Sequence, residues 1–80
     1  MTNEEIYTRL TTVFRDIFDD DSIVLHPETT AKDIPDWDSS AHINLIVATE
    51  LKFGIKFKTA ELESLRNVGH FVQVISEKVK

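Results

Sequence analysis

The chain has 80 residues, no cysteine, two glycines, two prolines and a formal net charge of −5. This length predicts a single small domain over residues 1–80, and without cysteine neither disulfides nor thiolate metal ligands can stabilise it. The negative charge argues against nucleic-acid binding, because a polyanion would be repelled. No apolar run approaches the roughly 20 residues that span a bilayer, and the polar N-terminus is unlike a signal peptide, so we expect a cytoplasmic location.

The first predicted helix begins at Thr2 and ends before an acidic triplet at 19–21. Thr2 and Glu5 resemble a capping box. Three aspartates oppose the helix dipole at a C-terminus and therefore mark the end of the helix. The apolar residues between these limits recur at helical spacing and indicate one buried face, made of Ile6, Leu10, Val13, Phe14 and Ile17.

Residues 19–37 form a connection that is longer than most loops in compact domains. Pro27 and Pro35 keep it from becoming helical. A calcium site is disfavoured, because apolar residues stand where an EF-hand loop needs oxygen ligands. The apolar residues of the connection predict an ordered loop that is anchored on the core by Ile23, Val24, Leu25, Ile34 and Trp37.

A second helix is predicted from Ser39 to about Phe53. Asp38 is suited to cap its start, and Gly54 fits a left-handed cap at its end. The helical spacing of its apolar residues predicts an inward stripe of Ile43, Ile46, Val47 and Leu51, with Leu45 and Ala48 at the margins.

Two more helices follow, so the predicted fold class is all-α. A short third helix, from about Ala60 to Leu65, is capped by Thr59 and turns Leu62 inward together with Leu65. Asn67 caps a fourth helix, whose apolar spacing again indicates one buried face. The predicted architecture is a four-helix bundle with three longer helices, a short third helix and a long loop between helices one and two.

The sequence contains no pattern that is typical of a catalytic or metal centre. Ser39 and His42 are three residues apart on a predicted helix, but a Ser-His-acid triad also needs a pocket and an oxyanion hole. The three histidines, His26, His42 and His70, lack metal-ligand spacing and are interpreted as solvated or core-edge residues. We therefore expect a protein that is not an enzyme, with no catalytic residue and no metal.

Ser39 is the candidate functional residue. An Asp-Ser pair before a helix is by itself only a good cap. A serine at this point is nevertheless exposed, fixed in place and adjacent to a carboxylate. The residues around it decide between the two interpretations.

The arrangement as a whole resembles the acyl carrier protein family. Asp38 and Ser39 stand where the family has its Asp-Ser-Leu motif, at the start of helix two. The run INLIVATELKFGIKF, which contains Gly54, is similar to the family's apolar helix and its Phe-Gly-Ile turn. Residues 67–71, NVGHF, are similar to the start of the family's last helix. The resemblance covers essentially the full chain, and the DWDS form with Trp37 is similar to carriers outside housekeeping fatty-acid synthesis.

The resemblance implies a cytoplasmic, monomeric carrier whose Ser39 holds a covalent 4′-phosphopantetheine arm. The implied partners are a phosphopantetheinyl transferase and the enzymes that load and transfer acyl or aminoacyl groups. Fatty-acid, polyketide, modified-lipid and aminoacyl pathways such as D-alanyl transfer are all compatible with it. In the family a cleft between helices two and three shelters acyl chains. Here that set would be Ile43, Ile46, Val47, Leu62 and Leu65, and helical spacing favours the view that these residues simply fill the core.

Two features depart from the family pattern. Ser40 replaces the leucine after the modified serine, which removes an apolar contact for partners and raises the question of which serine is modified. Ser39 follows the aspartate, whereas Ser40 lies about 100° round the helix. Glu50 is the only acid of helix two, which is acid-rich in fatty-acid carriers, so we expect a dedicated partner set. The alternative is a helical interaction module that is not modified.

Overall fold

The computed structural model describes residues 1–63, 65 and 67–79. It contains four helices, α1 (Asn3–Phe18), α2 (Ser39–Phe53), α3 (Thr59–Glu63) and α4 (Val68–Lys78). Helix α1 packs against both α2 and α4 and is therefore the central element of the bundle. The described residues form no strand, so the predicted all-α class is confirmed. Within the same residues, no helix has the length and apolar character required to cross a membrane.

Side chains cap three helix starts, as the sequence predicts. Thr2 Oγ1 accepts a hydrogen bond from the Glu5 N–H at 3.2 Å. Asp38 caps α2 and Asn67 caps α4 in the same way, each accepting from the N–H three residues later at 2.9 Å. These bonds satisfy backbone donors that an isolated helix leaves without partners. The starts of these three helices are therefore set by local side-chain chemistry, as predicted.

Residues in the left-handed region end α1 and α2. Gly54 has φ of 66° and donates its N–H to the Glu50 carbonyl, as predicted for a glycine cap. Asp19 has φ of 50°, and its N–H donates to the Arg15 carbonyl. Arg15 Nε also donates to the Ile23 carbonyl at 3.0 Å, which ties the loop to the end of α1.

Most of the core is formed by α1, α4 and the long loop, and α2 adds Leu45 and Ile46. The buried side chains of α1 are Ile6, Leu10, Val13 and Phe14, and those of α4 are Val68, Phe71, Val72 and Ile75. Four of the five predicted loop anchors, Ile23, Leu25, Ile34 and Trp37, are buried. The fifth prediction is wrong, because Val24 lies between the buried Ile23 and Leu25 and is itself 62% exposed.

The loop is hydrogen-bonded to the start of α4. The Val68 N–H donates to the Thr29 carbonyl at 2.9 Å, and the Gly69 N–H donates to the Pro27 carbonyl at 3.0 Å. A Cβ atom at position 69 would lie 3.1 Å from that same Pro27 oxygen. Glycine at position 69 therefore allows the close approach of loop and helix.

The inward stripe predicted for α2 is wrong. Ile43, Val47 and Leu51 are 64%, 51% and 80% exposed. The buried residues of α2 are Leu45, Ile46 and Thr49. The helix is apolar on more than one side, so helical spacing alone does not decide which apolar set faces α1. Only Ile46 of the predicted stripe is buried.

The third helix is shorter than predicted and lacks the predicted cap. Thr59 is its first helical residue, and the Lys58 carbonyl accepts from the N–H groups of Glu61 and Leu62 at 2.9 and 3.0 Å. Leu65 is buried, but it lies beyond the end of the helix. Position 64, which belongs to the predicted helix, lies outside the described residues. Helix α3 contributes no buried residue to the core.

The Asn67 cap should contribute measurably to stability. Asn67→Ala removes the acceptor for the His70 N–H and should lower the free energy of unfolding by about 1 kcal/mol. Asn67→Asp keeps an acceptor and should cost much less. Urea denaturation followed by circular dichroism measures both, and equal losses in the two variants would show that the cap bond contributes nothing.

Candidate attachment site at the start of α2

Ser39 is the first residue of α2, and its side chain is exposed. The turn before it is ordered by backbone bonds, since the Trp37 N–H donates to the Ile34 carbonyl and the Asp38 N–H donates to the Asp36 carbonyl, both at 3.0 Å. The predicted attachment residue therefore lies at the exposed beginning of a helix, after a short hydrogen-bonded turn.

Asp38 engages two of the first backbone donors of α2. Its carboxylate accepts from the Ala41 N–H at 2.9 Å, and its carbonyl accepts from the His42 N–H at 2.9 Å. The N–H groups of Ser39 and Ser40 find no acceptor among the described residues. The positive end of the helix dipole is thus next to the Ser39 hydroxyl, which suits an attached phosphodiester.

Trp37 anchors this end of α2 through aromatic contacts with two other helices. Its ring meets Phe14 of α1 edge-on, with centroids 5.2 Å apart, and lies 6.2 Å from Phe71 of α4. Trp37 is only 7% exposed, so most of the indole is removed from water. The position of Ser39, two residues later, is therefore held by the core.

His42 also contacts Trp37, and this pairing is not predicted from the sequence. The Trp37 Nε1–H donates to His42 Nδ1 at 3.1 Å, and the two ring planes are 20° apart. An indole nitrogen can only donate, so Nδ1 must be unprotonated and the neutral ring carries its proton on Nε2. Burial lowers the pKa of His42, which keeps the ring neutral. His42 is half-buried, so its interpretation as a core-edge residue is confirmed. In the sequence, the one feature that could indicate its partner is the position of Trp37, five residues earlier.

Exposure does not distinguish the two neighbouring serines. Ser39 and Ser40 are both exposed. Ser39 directly follows the capping aspartate, and Ser40 is turned about 100° round the helix. The choice of Ser39 therefore remains a prediction from register.

The outward side of α2 is apolar and begins at Ser39. Ile43, Val47 and Leu51 follow Ser39 at intervals of four residues, so all four lie along one side of the helix. We call Ile43, Val47 and Leu51 the outer stripe. The set predicted for a cleft between helices two and three is not brought together, because Ile43 and Val47 of that set are exposed. In that set, Ile46 and Leu65 are buried.

Glu50 has a structural partner. Its Oε2 accepts from the Phe57 N–H at 2.8 Å, which fixes the link between α2 and α3. In the sequence, Glu50 is the one acidic residue of helix two. The structure shows it half-buried and hydrogen-bonded, and none of the exposed residues of α2, all of which are described, is acidic.

Comparisons with known proteins agree with this fold. The solution NMR structure of a holo acyl carrier protein from Geobacter metallireducens superposes with a TM-score of 0.87 and 49% identity, covering 91% of this chain and 84% of that one. An acyl carrier protein from Acidothermus cellulolyticus is 30% identical over 95% of this chain and 90% of its own length. A meromycolate extension acyl carrier protein from Mycolicibacterium smegmatis is 32% identical over 95% of this chain and 77% of its own. No family model matches the sequence.

The chain belongs to the acyl carrier protein family. Proteins of this family are carriers and not catalysts, so the expectation of a non-enzyme is confirmed by its relatives. Their covalent group is 4′-phosphopantetheine, and the solved relative is a holo protein. The exposed hydroxyl and the unused N–H groups at the start of α2 fit such a group.

Acid should destabilise the bundle through His42. Because the pKa of His42 is lowered in the folded chain, the unfolded chain binds more protons below about pH 6.5. The stability contributed by neutral His42 is thus present at higher pH and is lost as the pH falls through that value. Protonation also removes the acceptor for the Trp37 indole.

The comparison of wild type with His42→Gln isolates this effect, since all other titrating groups are shared. The melting temperature of wild type should fall more than that of the variant between about pH 8 and about pH 5.5. Trp37 is the single tryptophan, so its fluorescence should report the same transition. Parallel pH profiles in the two proteins would contradict the role of His42.

Proposed function

We propose that Ser39 carries a 4′-phosphopantetheine arm and that the chain delivers acyl or aminoacyl groups as thioesters to partner enzymes. The observation that supports this most is the exposed Ser39 hydroxyl at the capped start of α2 in a member of a carrier family. When bound, the arm supplies the thiol on which thioesters form. This chain contributes the anchor, and other enzymes carry out the chemistry.

The geometry suits a carrier for two reasons. A group tethered at one point has a high effective concentration at every enzyme that the carrier docks with. The anchor must also be rigid, and the Trp37 contacts with Phe14 and Phe71 provide this at the start of α2. The N–H groups of Ser39 and Ser40 would face the negative charge of the phosphodiester.

Mass spectrometry tests the attachment site. Coexpression with a broad-specificity phosphopantetheinyl transferase should add the mass of one arm to wild type. Ser39→Ala should add none, while Ser40→Ala, the matched neighbour, should be modified like wild type. Loss of the adduct in Ser40→Ala but not in Ser39→Ala would move the site by one residue.

An absence of any adduct, under conditions that modify a control carrier, would favour the unmodified interaction module. The observation that supports this alternative is Ser40, whose exposed hydroxyl stands where the family has an apolar contact for its partners.

We further propose that the partners belong to a specialised pathway and dock through apolar contacts. The outer stripe lies on the same side of α2 as Ser39, so an enzyme that reaches the arm must cover part of this stripe. The single carboxylate of α2, Glu50, is held by the Phe57 N–H and offers little to a basic patch. Electrostatic steering onto this helix should therefore be weak. The relative from Mycolicibacterium smegmatis is named a meromycolate extension acyl carrier protein, and this name supports the proposal of a specialised pathway.

A gain-of-function variant tests this docking mode. A housekeeping fatty-acid β-ketoacyl synthase with a basic docking patch should use the loaded wild-type carrier poorly. Replacing the outer stripe by Ile43→Glu, Val47→Glu and Leu51→Glu should raise its kcat/KM by about tenfold or more, and salt should abolish the gain.

The matched control places the same three charges on α1, as Asn3→Glu, Thr8→Glu and Thr12→Glu. These positions are exposed, so the control changes net charge without changing the outer stripe. An equal gain in both triple variants would show that only net charge matters. A wild type that already works well with the synthase would contradict the dedicated partner set.

A further inference from the structure

Thr49 on the inner side of α2 has a buried hydroxyl without a partner. The residue is 0% exposed, and its Oγ1 makes no hydrogen bond to any described residue. Buried polar groups in folded proteins are almost always hydrogen-bonded. An orphaned hydroxyl in the core of so small a bundle therefore calls for a physical explanation.

Other threonines of the chain show what Thr49 does not do. On α1, Thr8 and Thr11 donate to the carbonyls four residues earlier, at 3.0 and 2.6 Å. In the loop, the buried Thr29 accepts from the His26 N–H at 2.9 Å. Thr49 has a helical carbonyl one turn earlier, on Leu45, and does not use it. Its hydroxyl is thus left available inside the core.

The core around the second half of α2 is covered only lightly. Phe53, Ile55, Phe57 and Leu62 pack against the core but are all half-buried. Helix α3, which follows α2 in the chain, contributes no buried residue. A region with few buried contacts opens at a lower cost than the rest of the fold. This corner is therefore where a guest chain would enter most easily.

We infer that Thr49 selects the cargo, by hydrogen-bonding to an oxygen on an acyl chain that enters the core beside Leu45 and Ile46. The inference rests on the proposal that Ser39 carries the arm. Thr49 lies ten residues beyond Ser39, about 15 Å along the helix, which a flexible arm and its chain can span. The apolar part of the chain gains from leaving water. A hydroxyl that can both donate and accept suits a 3-hydroxy or 3-oxo acyl chain better than a saturated one.

The selectivity follows from the cost of an unpaired polar group. A saturated chain packed against Thr49 leaves its hydroxyl as unsatisfied as before. An oxygenated chain gives the hydroxyl a partner and satisfies its own oxygen at the same time. Sites built on a buried hydrogen-bonding group discriminate strongly against ligands that lack the matching group.

Two matched cargoes test the role of Thr49. The transferase can move the phosphopantetheine arm of octanoyl and 3-hydroxyoctanoyl amide analogues of coenzyme A onto Ser39, with adenosine 3′,5′-bisphosphate as the leaving group. This gives stable carriers that differ by one oxygen. The 3-hydroxy chain should raise the melting temperature of wild type by roughly 5 °C more than the octanoyl chain does. Thr49→Val, of nearly the same shape, should lose this difference.

The unloaded proteins supply a control for folding. Thr49→Val should be at least as stable as wild type, because it removes an unpaired hydroxyl. Thr29→Val should be less stable, because it leaves the His26 N–H without its partner. The methyl resonance of Thr49 should shift on loading, which reports whether the chain reaches the core.

The outcomes separate the two proposals. A mass spectrum without an adduct overturns the assignment of Ser39 and, with it, the cargo site. A loaded protein that is stabilised equally by both chains overturns only the role of Thr49. A preference that persists in Thr49→Val, or a Thr49 methyl that does not move, overturns it as well.

Discussion

The contact of Trp37 with α1 and α4 is the constraint on which the start of α2 depends. The indole packs against both Phe14 and Phe71 and donates its one N–H to His42 Nδ1, so both its apolar body and its polar edge are satisfied. An aromatic ring buried in this way contributes much of the energy of a small core. Because Trp37 is two residues before Ser39, the same contact that stabilises the bundle also fixes the point where an arm would be anchored.

The loop that delivers Trp37 is held by more than its apolar side chains. The carbonyls of Pro27 and Thr29 accept from the first N–H groups of α4, so the loop and the helix satisfy each other's backbone. Long loops without regular structure are costly to order, and bonds of this kind offset the cost. The close approach needs Gly69, where a side chain would press against Pro27. The loop therefore acts as a structural element that links α1, α2 and α4.

Local chemistry made most of this fold predictable from the sequence. The caps at Thr2, Asp38 and Asn67 and the glycine at position 54 each act through one or two bonds with near neighbours, so residue type and spacing suffice. Burial on α2 was not predictable in the same way. Its sequence offers two apolar sets, and the choice between them depends on contacts with α1, which spacing within one helix does not contain. The partners of His42 and Glu50 are only five and seven residues away, but each lies beyond an end of α2, where helical spacing does not fix the geometry.

The start, the outer side and the inner side of α2 differ in the residues that they present. Its start holds Ser39 in a position set by the core, and its outer stripe exposes three apolar side chains. Its inner side closes the core, except that Thr49 leaves one hydroxyl unsatisfied there. A helix selected for stability alone would place an apolar residue at position 49 and polar residues at 43, 47 and 51, because burial favours the one and water the other. Both departures lie on the helix that starts at the proposed attachment site, and this coincidence favours function over chance.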